Sequence, residues 1–160
     1  MTQRRRYWLV KSEPEAFSID NLSRAPRQTT CWDGVRNYQA RNYMREMAVG
    51  DYVLFYHSNA DPPAVVGSAE VVRAAYPDDT QFDKRSHHYD AGSRADDPRW
   101  DMVDLKFREK FPASLALDRL RKEPGLREME LLRKGSRLSV QPVSEGQWRT
   151  ITKLAGSVKR

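Results

Sequence analysis

One cysteine, Cys31, stands among 160 residues, so an internal disulfide is excluded, and one Cys with three His (His57, His87, His88) offers no ligand spacing for a structural zinc site. Metal and disulfide chemistry drop out. No apolar run approaches the roughly 20 residues that cross a bilayer, and Met1–Arg6 leads straight into a strand-like segment with no signal-peptide core between them. The expectation is a cytoplasmic protein, nuclear in a nucleated cell, with no membrane partner. Nor is there a GxxxxGK[ST] phosphate loop or a GxGxxG turn, so no cofactor is expected. No nucleophile-elbow context surrounds Cys31, Asp33, His57 or Ser58. Cys31 reads as a small residue near the core, since free cysteine is among the most buried residue types.

What the chain does have is charge and aromatic rings. Charged residues make up 31%, yet 16 aromatics (Trp 4, Tyr 7, Phe 5) supply enough apolar surface to fold. The length suits one domain spanning 1–160 with short basic ends. A formal charge of +6 favours a polyanionic partner without identifying it. Arg4-Arg5-Arg6, Arg121-Lys122 and Arg133-Lys134 are candidate phosphate contacts, although each taken singly reads more readily as a solvated face or frayed end.

Short strands are predicted at Tyr7–Lys11, Asp51–Ser58, Ala64–Val72, Met102–Phe107 and Leu138–Val143, with Gly67 marking a bulge or a close backbone approach. Ser18 and Ser144 begin helices, the second through a capping box with Gln147. A further helix is expected over Asn37–Met47, and another over Ser114–Lys122. Thr30–Arg36, with its Asp33-Gly34 turn signal, reads as a loop, and Pro77–Arg99 as a long functional or mobile one. Strands mixed with helices and no regular βαβ rhythm give an α+β class, a small mixed sheet or partly closed barrel.

Aromatic and amide side chains concentrate in Trp32, Asn37, Tyr38, Gln39 and Asn42, with Tyr56-His57-Ser58 ending a buried strand. Stacking on aromatic faces plus hydrogen bonds to the edge is how a flat heterocycle is held. Trp32 and Tyr56 read equally well as ordinary core aromatics.

Tyr7–Pro14, Trp32–Asn42, Gly50-Asp51 followed by Phe55–Ser58, Val66-Gly67 with Ala69–Val72, Asp97–Trp100 with Val103-Asp104, and Leu138–Val143 together resemble the EVE domain family. The resemblance runs in order over nearly the whole chain. It implies a PUA-like fold, a curled mixed β-barrel flanked by helices and related to the YTH readers of methylated adenine. It also implies a non-enzymatic module that holds a flipped, modified base of DNA, methylated or hydroxymethylated, in an aromatic pocket, with DNA favoured over RNA as partner. The pocket so implied draws on Lys11, Ser12, Trp32, Val35, Arg36, Asn37, Tyr56, His57, Ser58, Ser139, Gln141 and Pro142. In it Trp32 stacks on the base and Tyr56 supports the other side. Ser12, Asn37 and the Gln141 strand address the polar edge, while Lys11 and Arg36 sit at the rim near phosphate. A monomer is expected. The alternative is a hydrolase of modified pyrimidine nucleosides like the ASCH group, using Lys11 and Glu13.

Overall fold

In a computed structural model, which describes residues 4–159, the β-branched and aromatic segments pair into one six-stranded mixed sheet. Met1, Thr2 and Gln3 of the basic start, and Arg160, lie outside the described residues. The elements run β1 (Tyr7–Ser12), α1 (Ile19–Arg24), β2 (Thr29–Cys31), α2 (Tyr38–Glu46), β3 (Tyr52–His57), β4 (Ala64–Pro77), β5 (Asp101–Ala116), α3 (Leu117–Arg121), β6 (Val140–Val143) and α4 (Glu145–Leu154). The strand order is β2-β5-β4-β3-β1-β6, with β1 and β3 parallel and the other pairs antiparallel. β2 and β6 are the outer strands, each paired on one side only, so the sheet stays open and does not close into a full barrel.

Because successive side chains on a strand point to opposite faces, β1 and β3 feed two cores. Val10, Val53 and Phe55 join Ile19, Leu22, Ala40 and Met44 on one face, under α1 and α2. Leu9, Leu54 and Tyr56 join Leu120, Trp148 and Ile151 on the other, under α3 and α4. The continuous apolar run of β3 is thus covered on both sides, as its composition predicts. Ser18 caps α1 and Ser144 caps α4, each in a capping box, with Asn21 and Gln147 as the returning partners.

Gly67 sits at irregular register against both β3 and β5, and a Cβ there would lie 2.4 Å from the Glu109 carbonyl oxygen. The expected close approach is therefore real. Two expectations are corrected. Thr30 and Cys31, expected within loop, form a strand with Thr29 because the three pair with Asp104–Lys106 of β5. Ser114–Ala116, expected helical, extends β5 by pairing with Ala64 and Val65, leaving only Leu117–Arg121 as helix. Of the expected long loop, Pro77 ends β4 and the rest is built on Gln81, which is fully buried, donates to the carbonyls of Asp78 and Trp100, and accepts from Ser93 Oγ and Trp100 N. Such a buried polar hub fixes a loop that has no apolar core of its own.

Candidate functional site

β1, the turn after β2, and the 78–88 loop converge at the C-terminal end of β1. Pairing of β2 with β5 continues through Trp32 N, which donates to Val103 O at 2.7 Å and delivers the indole to this end of the sheet. Trp32 is half-buried, edge-to-face with Phe55 (5.4 Å, 82°) and Phe17 (6.3 Å, 78°). Beside it lies an open hollow of about 490 Å³, lined by Lys11, Ser12, Glu13, Ala16, Phe17, Thr30, Cys31, Trp32, Asp33, Gly34, Val35, Arg36, His88 and Ser139. That volume falls within the range of about 300–1,000 Å³ usual for small-molecule sites.

The Trp32 turn is held from outside. Asp78, fully buried, accepts from Gly34 N at 2.8 Å, Thr80 N at 2.8 Å, Thr80 Oγ1 at 2.5 Å and Arg36 Nη1 at 3.1 Å. Burial pushes the Asp78 carboxyl up, but the hydrogen bonds from Thr80, Gly34 and Arg36 outweigh it and leave it below its ordinary value. Arg36 also donates to Val35 O, Thr80 Oγ1 and, twice, to His88 O. These contacts hold the loop so that the His88 ring covers Gly34, where a Cβ would come within 2.6 Å of it. Gly34 also takes φ +78, the left-handed region that favours glycine.

Several polar groups of the hollow are already engaged. Ser12 Oγ donates to Phe17 O at 2.5 Å, which closes the 12–17 turn. Glu13 Oε1 accepts from Asn59 Nδ2 at 2.6 Å, so it does not serve as a partner for Lys11. Burial pulls the Lys11 ammonium below its ordinary value, opposed by the charge of Glu130. Burial, and then repulsion from Asp78, pushes the Asp33 carboxyl up, with His88 pulling it back.

The hollow brings together Lys11, Ser12, Trp32, Val35, Arg36 and Ser139 of the expected set, and leaves the others elsewhere. Tyr56 alternates with Phe55 along β3, so once Phe55 meets Trp32, Tyr56 must face the opposite core; with Ser58 it lines a second hollow of about 620 Å³. Asn37 is the N-cap of α2, its Oδ1 accepting from Ala40 N at 2.9 Å, and it borders a third hollow beside residues 133–138. His57 Nε2 accepts from Ile19 N at 3.1 Å, satisfying an orphan amide of α1, and burial lowers its pKa. Gln141 follows Leu9 to the far face, fully buried, with Nε2 donating to Leu138 O and Oε1 without a partner among the described residues. Pro142 pairs with Trp8 and lines a hollow with Arg4–Tyr7 at the opposite end of β1. Arg36, expected at a phosphate rim, spends its donors on the 78–88 loop.

Phe17, Asp33 and His88 are the gains. Phe17 precedes the Ser18 cap, a position that a hydrophobic staple against Leu22 would account for by itself. Asp33 stood inside the same Trp-Asp-Gly turn as Trp32. Nothing in the sequence places His88, 54 positions beyond Gly34, over that turn. Cys31, expected near the core, is exposed at the hollow, because β2 is an outer strand; burial first, then Asp33 and Asp104, push its thiol up, which keeps it protonated.

The chain is similar over most of its length to known proteins. A mouse protein, thymocyte nuclear protein 1, is 45% identical over 165 residues, covering 92% of this chain and 73% of the mouse protein. A crystal structure of a Pseudomonas putida protein superposes with a TM-score of 0.90 at 49% identity, covering 93% of this chain and 99% of that one. Human thymocyte nuclear protein 1, crystallised in complex with DNA containing 5-methylcytosine, superposes with a TM-score of 0.89 at 41% identity, covering 94% of this chain and 97% of that one. An ASCH protein from Zymomonas mobilis shares only the fold, at 10% identity and a TM-score of 0.54. The family model of the EVE domain matches residues 6–154, and on that match and these identities the chain belongs to the EVE domain family.

Proposed function

We propose that this protein reads modified bases in DNA, holding one extruded base, 5-methylcytosine foremost, in the hollow beside Trp32 without chemical turnover. The observation that carries the reading is the open, ring-sized space against a half-buried indole, in a chain 41% identical to a protein crystallised with 5-methylcytosine DNA. Extrusion costs a few kcal/mol of lost stacking. Stacking on an aromatic side chain returns about 1–3 kcal/mol, and the remainder must come from edge and phosphate contacts. A methyl group filling an apolar corner adds about 1–3 kcal/mol, so modified and plain base differ by a modest factor.

The flanking strand needs cations that are not otherwise engaged. Arg4 and Arg6 pair with Glu145 and Glu46, and Arg5 lies over Tyr52. Lys11 instead borders both the Trp32 hollow and the second hollow, whose far wall carries Arg121, Arg133 and Lys134. Lys134 and Arg137 have no ion-pair partner among the described residues, while Arg133 meets Glu130 at 3.2 Å. The strand is therefore expected to run from Trp32 past Lys11 towards the 133–137 loop.

The test is titration of oligonucleotides bearing plain, methylated and hydroxymethylated cytosine and methylated adenine, with wild type and Trp32→Ala side by side. Trp32→Ala is expected to weaken binding of the preferred modified base by about 10- to 100-fold, the stacking contribution. Equal affinities for every oligonucleotide and for the variant would refute the reading, and release of a nucleoside product would replace it with the hydrolase.

A further inference from the structure

We propose that Asp33 selects among bases, admitting those with an exocyclic amine, as in cytosine, and rejecting those with an oxo group in its place, as in thymine; this rests on the base-holding reading above. Of the polar side chains around the hollow, Arg36 is committed to the 78–88 loop, Ser12 donates to Phe17 O, Thr30 to Cys31 O, and Glu13 holds Asn59 through one oxygen. That leaves Lys11, Cys31, Asp33, His88 and Ser139 as polar lining side chains with no hydrogen bond to another residue among the described residues. Asp33 is the carboxylate of this group and adjoins Trp32, and an ionised carboxylate only accepts hydrogen bonds. No Lys or Arg nitrogen lies within ion-pair distance of it among the described residues; its neighbours are its own backbone amide and, at longer range, His88 and Asp78.

A carboxylate serves no purpose in holding phosphate and opposes it. It suits the amino edge of a base, since cytosine N4 donates where thymine O4 accepts. 5-Methylcytosine and thymine share the ring size and the methyl group, so neither the indole nor an apolar corner separates them. Asp33 follows Trp32 directly in the turn, and Asp78 anchors the next residue, Gly34, through its amide. The acceptor is thereby held at the same wall as the stacking ring. Facing thymine O4 it would lie acceptor against acceptor.

Single-stranded oligonucleotides, which remove differences in pairing energy, carry the test: identical sequences with 5-methylcytosine, cytosine or thymine at one position, against wild type, Asp33→Asn and Asp33→Ala. Wild type is expected to bind the 5-methylcytosine strand about 10- to 100-fold more tightly than the thymine strand, the discrimination of one base-edge pairing. Asp33→Asn, whose amide can turn its NH₂ towards O4, is expected to bring the two within about threefold, with thymine gaining. Asp33→Ala is expected to narrow the ratio through loss on 5-methylcytosine alone. Unchanged thermal unfolding and salt dependence would show that fold and strand contacts persist. A wild-type ratio retained in both variants, or wild type binding thymine and 5-methylcytosine equally, overturns the assignment. If the preference for methylated over plain cytosine still depends on Trp32 in that case, the reader stands and only the role of Asp33 falls.

Discussion

Replacing Asp78 asks whether the Trp32 turn depends on a carboxylate that never touches the hollow. Asp78→Asn keeps the volume, removes the charge and turns an NH₂ towards donors that have no use for it. Four hydrogen bonds end on this side chain, two from backbone amides. Hydrogen bonds to a charged group contribute about 1.5–3 kcal/mol each, but they do not sum, because the remaining carbonyl oxygen still accepts and Arg36 keeps 23% of its side chain exposed. Breaking a buried charge pair costs about 3–5 kcal/mol, and the partial exposure of Arg36 places the loss near ~3 kcal/mol. Urea unfolding at pH 7 should show a lower midpoint with an unchanged slope. The folded-state pKa of Asp78 is lowered, so its contribution is fully present above the unfolded value of 3.8 and is lost as pH falls below that through the folded value. The gap between wild type and variant should therefore narrow below pH 4. Affinity for the preferred oligonucleotide should fall as well, since Gly34 loses its anchor. A loss under about 1 kcal/mol, or one that is the same at pH 7 and pH 3, would refute the reasoning.

Two further outcomes follow from the charges. Burial lowers the pKa of His57, and a proton on Nε2 would remove the acceptor for Ile19 N; stability from this group is therefore present above the unfolded value of 6.5 and declines as pH falls through it towards the folded value. Thermal unfolding between pH 7.5 and 5 should drop more steeply for wild type than for His57→Gln, whose amide oxygen accepts at every pH; parallel curves would contradict it. Removing Lys134 and Arg137 together should make the salt dependence of single-strand binding shallower by roughly 1.4 in log–log slope, about 0.7 per phosphate contact. The ratio of methylated to plain cytosine should not move, and an unchanged slope would place the strand elsewhere.

Local chemistry was legible in the sequence, and long-range pairing was not. The Ser144-Gln147 box, the Ser18 cap and the bulge at Gly67 all rest on residues within a few positions of one another or on the steric demand of a single residue. β2 exists because three residues pair with β5 some 75 positions away; the two β-branched threonines favour a strand, but nothing local names that partner. The same holds for Ser114–Ala116, where pairing with β4 overrides a stretch that reads as helix. Tyr56 shows the limit of periodicity. Adjacent residues on a strand face opposite ways, so Phe55 and Tyr56 could never both have flanked Trp32, but a run that is apolar on both faces does not say which of the two does.

The shortfall in the expected pocket has a common physical cause. Asn37, His57, Ser12 and Arg36 are polar residues beside the right turn, and each has a finite number of donors and acceptors to give. Two helix starts and two turns must be satisfied first, because an unpaired buried amide costs about as much as a lost hydrogen bond. Asn37 and His57 meet amides at the starts of α2 and α1, Ser12 closes a turn, and the five N–H donors of Arg36 match its five hydrogen bonds. Proximity to a site is thus a weak guide to a ligand-binding role, and an unspent hydrogen-bonding group is a stronger one. By that criterion the recognition proposed for this hollow would fall to the Trp32 face, the Lys11 ammonium, the Ser139 hydroxyl, the His88 ring and the Asp33 carboxylate, and substitutions of Arg36 should weaken binding only by way of the turn it holds.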